Sequence, residues 1–570
     1  MKSKMFVGML VFILMVLSIG VFSQEANYSN NIFPIEQVKH GTTGYGVSDL
    51  GPDVPNKFKF RVTSIEKDGL GYGHDIIWAI LYDNPKLKDG GVIAGMSGSP
   101  CYSTDGRFLG TVSYGYNNSV EVKAGITPAK DVLSVNDKNV NYNNTGQCQA
   151  NSVPYSARSP NNLINLMQIS RFPELDPFFN TTPFFVRNGI GSESQEKIAK
   201  EILQAGDSIG VALVVGDMTV AGTGTVSWVF GKDIWVFGHP MLQMGEINFP
   251  MIAAKTDDVT LLRTQSFKET ATGEVIGTFT QDRLSAVYGH LGQKPDLIPV
   301  TVNLDRNGKN DILHFYIVRQ KQLTPILMKI IIGNLLSEFS DAQELSVFSK
   351  GEIALDGADT KSLYFSEHGN GLISSVESYY AMEIAYILAP TNPSGAENNT
   401  SEKDKKPIMS ARIKGIDISL SVSEGDKTFN IEEIKNNIIG INENSVCNID
   451  IMLKNSRESK VISLSLDIPN NFKGDIMILA GDAKVMTISS EKENPNPNTG
   501  KLRQQDDLNS MIKKSFSKGS LYIKIVYIQK TSDPELSLAL RQVSRTEIYE
   551  VTLDNIIVQG QKKIIINVNK

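Results

Sequence analysis

The segment Gly95–Pro100, with the sequence GMSGSP, places a serine hydroxyl in the middle of a glycine-rich loop. Glycine allows a tight backbone turn and lets the backbone come close to a bound molecule. Such a turn exposes the hydroxyl of Ser97. It can also direct the amides of Gly95 and Ser97 at one point, where the negative oxygen of an acyl-transfer intermediate develops. We therefore predict Ser97 as a nucleophile and Gly95 and Ser97 as its oxyanion hole. The alternative is a Gly/Ser hairpin without chemistry.

A candidate general base follows a predicted pair of strands. The stretch 219–240 has the pattern of a strand, a Gly-Lys-Asp turn and a second strand, and it ends in Gly-His-Pro. A histidine at the end of a buried strand faces the cleft, so we predict that His239 takes the proton of Ser97. His74 is the runner-up because it lies closer to Ser97 in the sequence. The alternative without chemistry is a structural histidine that caps a strand.

The elements predicted around the serine loop are short strands and turns. Residues 107–115 read as a strand, and 124–133 read as a strand that continues into a short helix. Within the first of these, Ser113, Tyr114 and Gly115 could pair with the backbone of a substrate as an added β-strand.

These motifs make the chain resemble the SpoIVB-type serine peptidase family, and in particular its exported members from bacteria that do not sporulate. The resemblance covers roughly residues 34 to 330. It implies a trypsin-like double β-barrel with Ser97 as nucleophile and His239 as base. In the sporulation enzymes the histidine precedes the serine, whereas here it follows. A rearranged order of the two barrels is therefore expected, since geometry and not chain order defines a triad. The segments that carry the resemblance are 91–100, 124–128, 237–240, 266–268, 271–278 and 281–283.

The acid that would orient the histidine has several candidates. The resemblance implies an aspartate shortly before the serine motif, and Asp83 is the nearest match. The chain order of trypsin-like enzymes favours an aspartate after the histidine, which nominates Asp282 and, less well, Asp257 or Asp258. Asp75 also remains open. Each of them has an alternative role as a turn residue, a cap or a solvated charge. Asp83 is our first candidate and Asp282 is the alternative.

Composition narrows the function classes. The chain has 570 residues, with 41% hydrophobic and 21% charged residues, which is ordinary for a globular protein of several domains. A net charge of −6 without a basic block argues against a nucleic-acid partner. The spacing of Cys101, Cys148 and Cys447 does not predict a zinc site, and a bridge between the first two is left open. No metal and no organic cofactor is implied.

The amino terminus has the pattern of an export signal. Residues 1–4 are basic, 5–22 are apolar, and the small residues before position 24 fit cleavage after Ser23. We predict a signal peptide over 1–23 and export of the mature chain to the periplasm or cell envelope. An uncleaved membrane anchor is the alternative, because the apolar run approaches the length that spans a bilayer.

The predicted fold class is mainly β, with the double-barrel core followed by a β-sandwich-like C-terminal domain. The predicted segments are a serine-loop barrel (32–135), a linker (136–162), a histidine-bearing barrel with a closing segment (163–388), a second linker (389–407) and the C-terminal domain with its tail (408–570). Helices are predicted at 194–204 and 506–516, and C-terminal strands at 416–422, 447–453, 461–466, 521–528 and 563–568.

Two functions of different class follow from the sequence. The first is an exported serine endopeptidase that cleaves proteins or peptides, with the chain itself as one candidate substrate. The second is a non-catalytic cell-envelope protein that uses a degenerate peptidase fold for binding or assembly with an envelope partner. The two are distinguished by whether Ser97, His239 and an aspartate converge, with the serine oxygen about 2.6 to 3.2 Å from the imidazole nitrogen.

Overall fold

The computed structural model describes most of the chain from residue 31 onward. The described ranges are 31–116, 119–137, 163–165, 185–188, 203–262, 265–339, 344–369, 372–388, 412–439, 446–468, 472–482, 520–529, 542–551, 553 and 556–568. The predicted signal peptide, the linker 389–407 and the helix 506–516 lie outside these ranges, as do residues 138–162 of the first linker and residues 194–202 of the other predicted helix. The chain divides into two compact units, Met1–Leu297 with Ile317–Gln320, and Ile298–Tyr316 with Lys321–Lys570.

The first sheet of the first unit carries the serine loop. Its strands are β1 (Thr43–Val47), β2 (Lys57–Gly71), β3 (His74–Tyr82), β4 (Pro100–Ser103), β5 (Phe108–Tyr116), β6 (Lys123–Pro128) and β7 (Leu163–Asn165). The pairing order is β4-β1-β2-β3-β6-β5, and β5 returns to β4, so that six strands form a closed ring. Strand β2 buries Phe58, Phe60 and Val62 and exposes the residues between them, because successive side chains of a strand point to opposite faces. The buried face fills the inside of the ring.

The second sheet of this unit carries the histidine. Its strands are β8 (Phe185–Asn188), β9 (Ser208–Gly216), β10 (Met218–Phe230), β11 (Asp233–Val236), β12 (Gly245–Thr260), β13 (Phe267–Arg283) and β14 (Ala286–Leu291). Here β9-β12-β13-β14-β11-β10 also close on themselves through a β9–β10 pairing. Strands β10 and β11 are the predicted strand pair, and they turn at Gly231, which has a positive φ of 61°. His239 follows this pair, as the sequence predicts.

Two short helices and an apolar cluster accompany the rings. The helices are α1 (Pro85–Gly90) and α2 (Ala129–Ser134), and α2 continues directly from β6, as predicted. Phe108, Val132 and Leu133 from the serine side form one buried cluster with Trp235 and Tyr288 from the histidine side. The two rings therefore share an apolar contact that fixes the serine loop and the histidine segment in one unit.

The second unit contains a mixed sheet and a pair of smaller sheets. The mixed sheet contains β15 (Leu297–Arg306), β16 (Lys309–Val318), β17 (Leu345–Leu355), β18 (Lys361–Gly369) and β19 (Ile413–Glu424), and the helices are α3 (Thr324–Leu336) and α4 (Leu372–Leu388). The smaller strands are β20 (Thr428–Ile439), β21 (Val446–Lys454), β22 (Ser459–Asp467), β23 (Gly474–Gly481), β24 (Leu521–Gln529), β25 (Gln542–Val551), β26 (Ile557–Gln559) and β27 (Gln561–Val568). They form two four-stranded sheets, β22-β21-β20-β26 and β25-β24-β23-β27. One apolar core is shared by both, and we call these two sheets the C-terminal sheet pair.

The predicted fold class and C-terminal strands agree with the structure, whereas one predicted domain boundary differs. The mainly β prediction is confirmed, and the five predicted C-terminal strands are present within a few residues of their predicted ends. The division between units falls near residue 297, earlier than the predicted boundary at 388. The reason is strand pairing, since β15 runs parallel to β19, and β17 runs antiparallel to it.

Cys101 and Cys447 are free, buried thiols, so the bridge left open for Cys101 is not formed. Burial raises the pKa of the Cys101 thiol. In the ranges described above, every helix is too short or too polar to cross a bilayer.

Candidate functional site

The serine loop is a tight turn held by its own backbone and by β5. The amide of Met96 donates to the carbonyl of Ile93 at 3.1 Å, and the amide of Ser99 donates to the carbonyl of Met96 at 2.9 Å. The amide of Gly98 donates to Val112 at 2.7 Å. Gly98 has a φ of 97°, and a Cβ there would lie 1.9 Å from the carbonyl oxygen of Thr225. Only glycine fits this position, which explains part of the motif.

The two amides predicted to form the oxyanion hole are the ones that the turn leaves unused. The amides of Met96, Gly98 and Ser99 are bonded as described, whereas those of Gly95 and Ser97 find no acceptor among the described residues. The hydroxyl of Ser97 also has no hydrogen-bond partner there. Ser97 is 0% exposed, so the expectation of a solvent-exposed hydroxyl is wrong. The reason is that backbone of the second ring, at Thr225 and Phe237, lies against the loop.

His239 is held in one tautomer by the residue that follows it. Its Nδ1 lies 2.8 Å from the carbonyl oxygen of Pro240. A carbonyl only accepts, so Nδ1 carries the proton and Nε2 keeps its lone pair. Burial lowers the pKa of His239 to about 4, against a smaller rise caused by the bond to Pro240. Nε2 is buried without a partner among the described residues. The ring is therefore neutral at pH 7, and its Nε2 is unprotonated.

Thr225 joins the serine loop to the histidine segment. Its amide donates to the carbonyl of Ser97 at 2.8 Å, and its carbonyl accepts from the amide of Phe237 at 3.3 Å. A second link comes from Thr127, whose hydroxyl donates to the carbonyl of Gly238 at 2.7 Å. The structure thus brings the segments of Ser97 and His239 to the same boundary between the two rings. No hydrogen bond joins their side chains, since Ser97 Oγ and His239 Nε2 are both without a partner in the described part of the chain.

The first candidate acid lies elsewhere. Asp83 forms a surface ion pair with Lys59 at 2.8 Å, and its side chain is 58% exposed. It follows β3 in a turn with a φ of 64°, immediately before Asn84, which caps α1. Within the described residues no carboxylate hydrogen-bonds either ring nitrogen of His239. The structure therefore does not bring Asp83 to the histidine.

The alternative acid, Asp282, lies beside the histidine segment but bonds its backbone. Its Oδ1 accepts from the amide of Met241 at 2.8 Å, and its Oδ2 accepts from Leu242 at 2.8 Å and Met244 at 3.3 Å. Burial raises the pKa of Asp282 to about 6, although these backbone bonds oppose the rise. Asp282 thus organises the turn that begins directly after His239 and Pro240.

The remaining candidates have local partners. Asp75 pairs with Lys67 at 2.6 Å, and Asp258 pairs with Lys86 at 3.0 Å. His74, the runner-up base, has its Nδ1 3.6 Å from Asp131 Oδ1. The contacts of Asp75 and Asp258 therefore match structural roles, whereas His74 Nδ1 is buried without a hydrogen-bond partner among the described residues. Asp257 is exposed on β12.

The strand predicted to bind substrate is paired on both sides. Tyr114 and Gly115 pair with β6 on one side. On the other side β7 runs antiparallel, with Tyr114 opposite Asn165 and Gly115 opposite Ile164. Ser113 donates its hydroxyl to the carbonyl of Thr111. The edge predicted for a substrate strand is therefore covered by a segment of the same chain.

Three groups that hold the serine loop or the histidine were not predicted from the sequence. They are Thr225, the carbonyl of Pro240, and Lys268, whose ammonium donates to Thr225 Oγ1 at 2.9 Å. Lys268 belongs to the segment 266–268 that supports the family resemblance, so the resemblance could have pointed to this residue. Thr225 lies in a run of small residues within β10 and has no local pattern that distinguishes it.

Comparisons of the chain with protein-family models, with curated proteins and with solved structures found no match. Among the described residues, no group of three His, Cys, Asp or Glu side chains is arranged to hold a metal ion.

Proposed function

We propose that this chain is an exported serine endopeptidase of the SpoIVB type, which cleaves protein substrates through an acyl-enzyme on Ser97 with His239 as general base. One observation carries the proposal. Ser97 Oγ and His239 Nε2 are fully buried, have no partner among the described residues, and belong to segments joined through Thr225. A buried polar atom without a hydrogen bond is costly, and such atoms concentrate where a molecule must be bound or transformed.

A trypsin-like fold is part of the same proposal. The two six-stranded rings would correspond to a trypsin-like double barrel in rearranged order, with the serine ring first. Their closure and their shared boundary at Thr225 support this correspondence. Export to the periplasm or cell envelope, and a protein or peptide as partner, are part of the proposal and rest on the sequence.

In the proposed reaction, Ser97 Oγ forms a bond to the carbonyl carbon of a peptide while its proton passes to His239 Nε2. The carbonyl oxygen becomes negative and accepts from the amides of Gly95 and Ser97. Collapse of this intermediate breaks the carbon–nitrogen bond, and His239 returns the proton to the leaving amine. Water then hydrolyses the acyl-enzyme by the same two transfers. The carbonyl of Pro240 keeps the proton on Nδ1 throughout, and Asp282 positions the backbone after the histidine.

A second candidate function is a non-catalytic envelope binding protein with a degenerate peptidase fold. Three observations favour it. Ser97 and His239 are both 0% exposed, no described carboxylate bonds His239, and β7 covers the edge of β5. A protein that only binds a partner through other surfaces would tolerate all three.

The decisive experiment is labelling of the purified chain with a fluorophosphonate probe. We expect labelling of the wild type, no labelling of Ser97→Ala, and at least about a hundredfold slower labelling of His239→Ala. Ser48→Ala is a matched control, because Ser48 is also 0% exposed and its hydroxyl also lacks a described partner. It should label at the wild-type rate. Folded wild type that stays unlabelled would exclude the peptidase proposal and favour the binding protein.

The pH dependence of labelling is a further test of His239. Because burial lowers the pKa of His239 to about 4, the neutral base persists in mildly acidic solution. We expect the labelling rate to fall with a midpoint near pH 4. A midpoint near the ordinary histidine pKa of about 6.5 would show that the reacting base is not this buried ring.

A further inference from the structure

Lys268 is a buried lysine for which the proposed reaction has no direct use. It is 2% exposed, and it lies on β13 of the histidine-bearing ring. Lysine is among the residues least often fully buried, because a desolvated ammonium is costly unless it has partners. Its surroundings therefore indicate what its burial achieves.

The backbone of Lys268 holds the peptide on one side of Gly95. Its amide donates to the carbonyl of Ala94 at 3.0 Å, and the amide of Ala94 donates to Ser266 at 2.8 Å. In a trans peptide the carbonyl and the following amide point in opposite directions. Fixing the carbonyl of Ala94 therefore fixes the direction in which the amide of Gly95 points.

The side chain of Lys268 holds the peptide on the other side of Gly95. Its stem covers the glycine so closely that a Cβ there would lie 3.2 Å from Lys268 Cδ and Cγ. Its ammonium donates to Thr225 Oγ1 at 2.9 Å, and Thr225 Oγ1 in turn donates to the carbonyl of Gly95 at 2.9 Å. The hydroxyl of Thr225 has one proton, so the ammonium leaves that proton free to point at Gly95.

Thr225 also holds Ser97 itself. Its amide donates to the carbonyl of Ser97 at 2.8 Å, so one threonine grips the loop at both predicted oxyanion residues. The ammonium behind it has a negative partner, since Lys268 lowers the pKa of Asp49 against the rise caused by burial. A compensated charge can remain ionised in a site that water does not reach.

We propose that Thr225 and Lys268 are positioning residues, which hold the peptides on both sides of Gly95 and, through the amide of Thr225, the carbonyl of Ser97, so that the amides of Gly95 and Ser97 converge on the oxyanion. The inference rests on the proposed function for its catalytic meaning. Neither side chain touches the reacting atoms, and both act through the backbone of the loop.

The test compares Thr225→Val with Thr225→Ser. Valine keeps the shape and the backbone amide of Thr225 but removes the hydroxyl, whereas serine retains it. Thr223→Val is the matched control, since Thr223 is buried on the same strand and no described hydrogen bond joins it to residues 93–100. Two quantities are measured in the folded variants: the rate constant of fluorophosphonate labelling, and amide hydrogen exchange of residues 93–100.

We expect Thr225→Val to slow labelling by about tenfold or more and to accelerate exchange of the loop, because removing one oxyanion donor costs about a hundredfold or more. Thr225→Ser and Thr223→Val should match the wild type in both measurements. Unchanged exchange in Thr225→Val, or equal losses in the serine and valine variants, would overturn the inference. If the wild type is not labelled but exchange responds as expected, the peptidase proposal fails while the positioning role stands.

Discussion

The boundary between the two rings and the core of the C-terminal sheet pair are built from different residues. At the ring boundary the buried side chains include the hydroxyls of Ser97, Thr111, Thr127 and Thr225 and the imidazole of His239. We call this set the polar seam. The core of the sheet pair is an apolar cluster of side chains such as Phe429, Ile449 and Ile525. Apolar burial stabilises without regard to direction, whereas every buried hydroxyl requires a partner in the right place.

The difference separates a region held together by apolar burial from the region of the proposed site. In the seam most hydroxyls are bonded, for example Thr127 to Gly238 and Thr225 to Gly95. The exceptions in this set are the hydroxyl of Ser97 and Nε2 of His239. Departures from the general rules of folding are expected where a protein has a function to perform. The following predictions test whether the seam is as directional, and the sheet pair as permissive, as this comparison implies.

The largest effect is expected at Gly98. Alanine there would place a Cβ 1.9 Å from the carbonyl oxygen of Thr225, against backbone that cannot rotate away. We expect Gly98→Ala to destabilise the first unit by about 4 kcal/mol or more, measured by urea denaturation. Gly106→Ala is the matched control, because Gly106 has a φ of 83° but nothing within 4 Å of the added Cβ. It should cost only about 1–2 kcal/mol, the strain of the left-handed conformation. Equal losses would mean that the contact with Thr225 does not constrain the loop.

The next effect concerns two buried groups whose pKa values are shifted in opposite directions. Burial raises the pKa of Asp282 to about 6 and lowers that of His239 to about 4. Between about pH 4 and 6 the folded state holds a proton on Asp282 that the unfolded state has released, so this contribution to stability is lost as the pH rises. Between about pH 4 and 6.5 the unfolded state binds a proton that folded His239 does not, so this contribution is lost as the pH falls. Each is worth about 3 kcal/mol, and in the wild type they largely cancel.

Single substitutions should separate the two contributions to the pH dependence of stability. In Asp282→Asn the histidine acts alone, and the free energy of unfolding should increase from pH 4 to 6 more steeply than in the wild type. In His239→Gln the aspartate acts alone, and the same quantity should decrease. Denaturant titrations at several pH values provide the measurement. Parallel curves for the wild type and both variants would show that neither group titrates in its buried environment.

The sequence predicted the elements of both regions better than it predicted the seam. Alternating apolar residues were sufficient for β21, which needs only one face in a core, and a nearly continuous apolar run was sufficient for β24, which is buried on both faces. The tight turn at Ser97 and the strand pair before His239 were also predictable, since glycines and turn residues act locally. The contact between Thr225 and Gly95 joins residues 130 positions apart. No local pattern encodes such a contact, and the burial of Ser97, where Thr225 and Phe237 lie against the loop, was not predicted either.

The acidic residue predicted to orient His239 was difficult to choose for a related reason. Asp83 was chosen because it precedes the serine motif, but chain order does not determine spatial proximity. Its immediate neighbours, Asn84 and Pro85, form the start of α1, which is a local reason for an aspartate in a turn. Asp282 bonds the backbone amides of residues 241, 242 and 244, and the sequence has no signal for a carboxylate that acts on a distant backbone.

A third prediction concerns the covered edge of β5, where Tyr116 lies opposite Leu163 of β7. Opposed residues of antiparallel strands are close enough for a disulfide. In a Cys148→Ser background, oxidised Tyr116→Cys/Leu163→Cys should react about tenfold more slowly with a peptidyl phosphonate that must pair with β5, and reduction should restore the rate. A small fluorophosphonate should be affected by no more than about twofold, because it does not need the edge.

The control for this engineered disulfide lies in the C-terminal sheet pair. Asp450 and Ser463 are opposed on β21 and β22, so Asp450→Cys/Ser463→Cys forms the same kind of bridge away from the site. Its oxidation should leave both rates unchanged. If the trapped and reduced forms of the β5–β7 pair react equally with the peptidyl probe, the edge of β5 is not where substrate binds. If neither probe reacts with either form, the peptidase proposal itself is excluded.

The smallest effect is expected inside the sheet pair. Ile451 is 0% exposed and belongs to its apolar core, so Ile451→Val removes one methyl group from an apolar cluster. We expect a loss of about 1 kcal/mol in the free energy of unfolding of the second unit. Thr111→Val is the corresponding change in the seam, where the hydroxyl contacts the carbonyl of Ser99 and the hydroxyl of Ser227, each at 3.3 Å. The added methyl favours burial, but two polar groups lose a partner, so we expect a loss of about 1–3 kcal/mol in the first unit. If the seam tolerates this exchange as well as the sheet pair tolerates its own, directional bonding is not what distinguishes the two regions.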